Sequence, residues 1–382
     1  MLDKILILGG YGNTGFLIAR LLLQETTDLR LVVAGRNGDR AQQAADHLNQ
    51  AFAGRRVTSV QADARDPKSL ELAFKDVQFV VVASSTTDLA DIVARAALAS
   101  GVDYFDLQLS AARKLSVLDS LRDAIEQQGR CFMTDGGFHP GVPAAMVRYA
   151  NTMVDGLEAA TVSGAFQLNW KELQFSESTV SEFVDELRNF NPTVLKNKTW
   201  RKLGMLAFPR IDFGTPYGPK YCSPMFLEEL RSLPKSIPTL RNVGFYVAGF
   251  NWVTDYITMP IALIGLSLFG DRIKKPVGKL FLWSLKLFCR PPYGGTLQMD
   301  AKGQSESLHM KLTHSDAYAL TAIPVVACLL QFREGSIRHP GLWHQANLVE
   351  PTQFFKDIER LGVNVEIQLE SHHRGAPGDG NA

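Results

Sequence analysis

The feature that most constrains this chain is a glycine-rich turn set between an apolar run and a helical run. Residues 5–8 are Ile-Leu-Ile-Leu, the turn reads Gly9-Gly10-Tyr11-Gly12-Asn13-Thr14-Gly15, and residues 16–23 continue with helical apolar spacing. G-x-G-x-x-G falls on Gly10, Gly12 and Gly15. In a strand-turn-helix context, Gly10 lets the chain turn sharply, Gly12 lets the backbone approach a pyrophosphate, and Gly15 lets the helix pack close to the strand. The helix start at Asn13 and Thr14 then offers free N–H groups and partial positive charge to an anion, with Tyr11 in the same loop. A turn that only connects strand to helix is the plain alternative, and the well-spaced strands that follow argue against it.

Short apolar runs recur at 5–8, 31–34, 57–60, 79–83, 104–107 and 131–134, alternating with helical patterns. That rhythm implies βαβ units in a doubly wound parallel sheet, the α/β Rossmann arrangement. A length of 382 residues exceeds one core, so two domains are expected. Gly136, Gly137, Pro140, Gly141 and Pro143 mark a loop, which puts a dinucleotide-binding domain at 1–135. The second domain, 136–314, is expected to be α+β with a mainly antiparallel sheet, from a strand over 159–170 and a pair over 296–312 turning near Gly303. Within it, 171–295 reads as an apolar insertion. Helices in 315–370 are expected to pack back on the N-terminal half, and 371–382 is expected to be a disordered tail.

Charge and cysteines narrow the function classes. A net charge of +1 leaves no electrostatic footprint for nucleic acid. Cys131, Cys222, Cys289 and Cys328 are far apart with no C-x-x-C pair, which suggests neither zinc nor disulfides. Residues 1–8 show no basic leader, so a cytoplasmic location is expected. G-x-S-x-G and H-E-x-x-H are absent from the sequence, no metal is implied, and His309 and His314 are read as pairing with neighbours.

The end of the second strand discriminates between cofactors. NAD-binding domains usually carry an acidic residue there for the ribose 2′-hydroxyl, whereas this chain has Ala34-Gly35-Arg36-Asn37. Arg36, assisted by Arg40, suits a 2′-phosphate, which favours NADP over NAD; a solvated loop arginine is the alternative. Asp63 follows the third strand and could accept from the adenine, or could simply form a turn. Ser84 and Ser85 follow the fourth and could face the nicotinamide ribose, or cap a helix. Hydride transfer asks the protein only to hold the reactants and to deliver or remove a proton. Tyr104, Asp106 and His139 are the ionisable groups expected nearest the nicotinamide, with a packed aromatic, a helix cap and a loop histidine as their respective alternatives.

Three groups of residues resemble the saccharopine dehydrogenase-like (saccharopine reductase) family. Gly9 to Gly15 with Ala34-Gly35-Arg36 look like its NADP-binding domain. Asp103-Tyr104-Phe105-Asp106 and Thr134-Asp135-Gly136-Gly137-Phe138-His139-Pro140-Gly141 are similar to its Tyr-x-Asp strand and Gly-x-x-Pro-Gly junction. Asp316 to Ala322 with Gly335-Ser336-Ile337 and Pro340-Gly341 look like its Tyr-x-x-Thr-Ala helix and the loop behind it. The resemblance is thin over 171–295. It implies an NADP-dependent oxidoreductase, in a family that includes imine reductases forming secondary amines, trans-acting enoyl reductases of lipid synthesis, and lipid-associated oxidoreductases.

Two very apolar segments, 244–270 and 277–289, complete the reading. Asp255 and Asp271 bracket a span too short to cross a bilayer, while Trp283 and Phe288 stand among Lys275, Lys279, Lys286 and Arg290. Residues 244–290 are expected to dock peripherally on a lipid surface and admit an apolar substrate; burial in the second domain or a homodimer contact are the alternatives. The function expected is enoyl or imine reduction of an apolar, lipid-like substrate, the other reading being a non-catalytic NADP-binding sensor or scaffold.

Overall fold

The structure is a computed structural model and describes residues 2–84, 86–173, 180, 184–185, 188, 190–204 and 207–371. The chain forms two compact units, Met1–Ala145 with Asp316–Val363, and Met146–Ser315 with Asn364–Ala382. The first break thus falls at Ala145, beyond the loop at 136–143 where the sequence suggested it. Residues 315–370 do not stay in one piece, because the last strand joins the second unit.

The first unit holds β1 (Lys4–Leu8), β2 (Arg30–Gly35), β3 (Val57–Gln61), β4 (Phe79–Val82), β5 (Asp103–Asp106) and β6 (Cys131–Thr134). β15 (Gly341–His344) completes a seven-stranded sheet in the order β15-β6-β5-β4-β1-β2-β3. Every pairing is parallel. Phe79, Val80, Val81 and Val82 are all buried, as a strand covered by helices on both faces requires. The connection reverses direction between β1 and β4, so the carboxyl ends of these strands open the crevice where such folds take ligands.

Helix Ala317–Glu334 is buried over most of its surface, and Phe332 meets Phe79 edge-on with ring centroids 5.0 Å apart. A helix whose apolar residues lie on every side has to be buried in this way. Asp316 caps its start by accepting from the N–H groups of Tyr318 and Ala319, and Gly335 ends it at φ +91°.

The second unit contains β7 (Ala159–Gln167), β8 (Thr193–Lys196), β9 (Thr199–Lys202), β10 (Arg210–Asp212), β11 (Pro219–Met225), β12 (Asn242–Ala248), β13 (Gly294–Lys302), β14 (Glu306–His314) and β16 (Asn364–Ser371). Its sheet runs β10-β11-β12-β7-β13-β14-β16, with β8 beside β12 and β9 beside β8. β7 and β12 are parallel and the other pairs antiparallel. Leu308, Met310 and Leu312 point inward from β14 at every second residue. The segment 171–295 is therefore only partly an insertion: among its described residues five strands, β8 to β12, join the sheet, and the apolar run beginning at 244 starts as β12. The tail beyond Ser371 lies outside the described residues.

Candidate active site

The glycine turn is organised around one carbonyl. Gly9 has φ +88°, its N–H donates to Ala34 O at 2.8 Å, and its own oxygen accepts from Gly12 N at 2.9 Å. A Cβ on Gly15 would lie 2.4 Å from Gly9 O, and one on Gly12 would lie 3.1 Å from it. The left-handed residue is thus Gly9 rather than Gly10, although a Cβ on Gly10 would also strike Ile7 O at 2.8 Å. Helix Asn13–Glu25 begins directly after Gly12 with no side-chain cap. Its first N–H groups, from Asn13, Thr14 and Gly15, form an anion-accepting end.

Beside the turn, the Tyr11 ring covers Gly35 so closely that a Cβ there would meet Cε1 at 2.4 Å. Tyr11 Oη accepts from Asn37 N at 3.2 Å, and the Arg40 guanidinium lies 4.7 Å from the ring centroid. Arg36 is exposed, and among the described residues its guanidinium has no ion-pair partner. Asn37 caps helix Gly38–Ala51 by accepting from Arg40 N at 2.9 Å. Asp63 accepts from Arg65 N at 3.0 Å, a turn role.

At the ends of β5, β6 and β15 lies a buried ion network. Lys114 Nζ, on helix Ala112–Ser120, donates to Asp106 Oδ1 at 2.9 Å, Asp135 Oδ1 at 2.8 Å and Gln108 O at 2.6 Å. Its three protons therefore meet three acceptors, as a fully buried ammonium needs. Asp106 Oδ2 accepts from Thr134 Oγ1 at 2.8 Å, and Asp135 Oδ2 accepts from Ser110 Oγ. His344 Nδ1 stands 3.0 Å from that same Asp135 oxygen, its side chain 25% exposed. Burial disfavours charge on Asp135, yet the Lys114 ammonium and His344 outweigh it and hold the carboxyl well below its usual range. Burial likewise opposes the Lys114 charge, and the two carboxylates overcome it, pushing that ammonium up. Asp135 adopts φ +57°, a left-handed conformation that a non-glycine residue keeps only where its surroundings hold it.

A nicotinamide dinucleotide fits this edge on three grounds: the uncapped helix end, a tight turn whose Gly12 and Gly15 leave no room for a Cβ beside Gly9 O, and a buried acceptor. That acceptor is Gln108 Oε1, without a hydrogen bond among the described residues while its Nε2 donates to Thr86 Oγ1 at 3.0 Å.

Residues 5–131 match the saccharopine dehydrogenase NADP binding domain. Saccharopine dehydrogenase (L-Glu forming) from Saccharomyces cerevisiae shares this fold, with TM-score 0.68 and 15% identity over 96% of this chain and 100% of that one. A myo-inositol dehydrogenase from Corynebacterium glutamicum aligns at TM-score 0.44 and 13% identity, over 94% of this chain and 95% of that one. No curated protein sequence matches the chain.

Within the matched residues the structure places Gly10, Tyr11, Gly12, Asn13, Thr14 and Gly15 in one turn, with Arg36 at the neighbouring strand end. Ser84 lies beside it, its Cβ 2.9 Å from where a Gly9 Cβ would stand and its Oγ 3.1 Å from Thr86 Oγ1. Ser85 lies outside the described residues. Tyr104 departs from the sequence reading in its burial: it is wholly buried and stacked on Phe132 at 5.1 Å, with its hydroxyl on the Asp106 side. Burial and the Asp106 charge push that phenol well above its ordinary value. Asp106 is a buried structural acceptor, not a helix cap. His139 is half-buried in the loop after Asp135, where loss of water lowers its imidazole to about 4. Sequence reasoning missed Lys114, Ser110, Asp135, His344 and Gln345. Gln345 is buried and holds the loop by accepting from Gly137 N at 3.1 Å and donating to Gly137 O at 3.1 Å and Gly141 O at 3.0 Å.

Proposed function

We propose that this chain is an NADP(H)-dependent oxidoreductase that reduces a C=C or C=N bond of an apolar, lipid-like substrate. One observation carries the reading: the carboxyl edge of a single parallel sheet holds both an anion-accepting helix end beside an exposed arginine and a buried ion network that includes the partly exposed His344. Arg36, with Arg40 on the Tyr11 ring, would hold a 2′-phosphate; the N–H groups of residues 13–15 would hold the pyrophosphate. The bound cofactor would supply the hydride. Reduction of an enoyl or imine group also consumes a proton. With Asp135 accepting from Nδ1–H, His344 exchanges its proton at Nε2, and Lys114 fixes the aspartate that orients it. The apolar character of the substrate is suggested by the family resemblance and by the exposed apolar residues of 254–288.

The complete burial of Asp106, Lys114 and Asp135 favours a second reading, in which the network only stabilises the fold and the chain binds NADP without turnover. Nicotinamide absorbance during incubation with long-chain 2-enoyl thioesters and apolar imines separates the two. The oxidoreductase consumes NADPH with a member of one class, and His344→Gln reduces that rate by about a hundredfold, a loss in the range of general acid–base catalysis, with cofactor affinity kept. NADPH that binds but is never consumed supports the sensor.

A further inference from the structure

Helix Ala317–Glu334 and the helical segment Thr254–Phe288 are both long and apolar enough to cross a membrane, yet 72% of the first and only 17% of the second is buried over the most apolar stretch. The first is a core helix. The second is two arms, Thr254–Thr258 running on into Met259–Phe269 and Lys274–Phe288, joined through Gly270–Ile273. Gly270 has φ +58° and breaks the axis. The 15-residue second arm extends about 22 Å at 1.5 Å per residue, short of a hydrocarbon core of about 30 Å.

The first arm has its amphipathicity inside out. Thr254, Thr258, Ala262 and Leu266 face inward, and Thr254 Oγ1 donates to Ser284 Oγ of the second arm at 3.0 Å. Outward stand Tyr256, Ile257, Ile261, Ile264, Leu268 and Phe269, with Tyr256 66% and Leu268 71% exposed. From 256 to 270 there is no charged residue. A helix bathed in water has the opposite arrangement. Val184 packs with Ala262, Leu266 and Val277 on the buried side, so that cover leaves the outer face open.

The second arm supplies the borders of that face. Leu280, Trp283 and Leu287 form an exposed stripe at helical spacing, flanked by exposed Lys275 and Lys279, with Lys286 and Arg290 toward its end. Trp252 and Trp283 both meet Phe288 edge-on, with ring centroids 6.5 and 6.2 Å from it. Of the hairpin's two acids, Asp271 pairs with Arg188, and Asp255 is half-buried and accepts from Phe250 N.

We propose that the hairpin 254–288 is a membrane-docking surface that lies in the interface of an anionic bilayer, apolar face in the acyl boundary and lysines at the headgroups. Short arms, inside-out amphipathicity, exposed tryptophans and a basic rim are together the recognition chemistry of an anionic lipid surface. A protein partner or a second copy would need no such basic rim. The inference stands apart from the cofactor reading, because no residue of the hairpin belongs to the glycine turn or the ion network.

Flotation of the full chain with phosphatidylcholine vesicles, with and without phosphatidylglycerol, tests it. The protein should rise with the phosphatidylglycerol vesicles at low salt and less so as salt screens the lysines. Leu268→Ser with Trp283→Ser should cut the bound fraction by more than about tenfold, since each forfeits a transfer energy of that order. Both positions are exposed, so the double variant should keep the wild-type melting temperature and NADPH titration, which separates failed docking from failed folding or failed cofactor binding. A wild-type chain that stays at the bottom of the gradient at low salt overturns the proposal, as does a double variant that floats equally well. A wild-type dimer that the double variant converts to monomer without any flotation would assign the face to a second copy instead.

Discussion

Lys114 Nζ lies 2.8 Å from Asp135 Oδ1, and His344 Nδ1 lies 3.0 Å from the other oxygen of the same carboxylate. One aspartate thus joins a wholly buried cation to a histidine that reaches solvent. Because Asp135 sits at a positive φ at the end of β6, the network also fixes where the chain leaves the sheet.

Replacing Lys114 with methionine should destabilise the protein by about 3–5 kcal/mol, because Asp106 and Asp135 would remain buried without their cation. Chemical denaturation measures this. A loss under about 1 kcal/mol would mean that the carboxylates are not paired as the network requires.

His139 is lowered from 6.5 to about 4, so the folded state prefers the neutral ring. Its contribution to stability is complete above about pH 6.5 and is lost as pH falls toward 4. Melting temperatures of the wild type should therefore fall through that window more steeply than those of His139→Gln. Parallel curves would show that the ring is not desolvated.

Asp255 titrates with the opposite sign. Burial raises its carboxyl from 3.8 to about 6, so stability is greatest below 3.8 and is lost as pH rises through 6. Asp255→Asn keeps an acceptor for Phe250 N and removes the charge; it should gain stability over the wild type as pH rises from 4 to 7. A variant that gains nothing would place Asp255 in contact with water.

What the sequence made legible was local. Six parallel strands and the glycine turn depend on neighbours within a few residues, and each is written in a short run such as Phe79 to Val82 or Gly9 to Gly15. The network was hidden because its members come from four separate segments. A lysine on a helix reads as solvated, and Asp135 reads as a turn former; only packing of Ala112–Ser120 against the ends of β5 and β6 buries them together. His344 sits on β15, whose four residues, Gly-Leu-Trp-His, carry little strand signal and become a strand by pairing with β6, more than two hundred positions earlier. Tyr104 failed for a related reason: position along a strand is readable, but which face a side chain takes is settled by the sheet it joins. In the second unit, β8 to β12 are short and irregularly spaced, so long-range pairing rather than pattern makes them a sheet.

Arg36 at the end of β2 stands where a 2′-phosphate would be read, and calorimetric titration of NADPH and NADH against the wild type and Arg36→Ala measures that. The wild type should bind NADPH more tightly than NADH by a factor of about 10–100, the value of a charge-assisted hydrogen bond, and Arg36→Ala should remove most of the difference while leaving NADH affinity nearly unchanged. Equal affinities for the two cofactors, or a preference that survives the loss of Arg36, would contradict it.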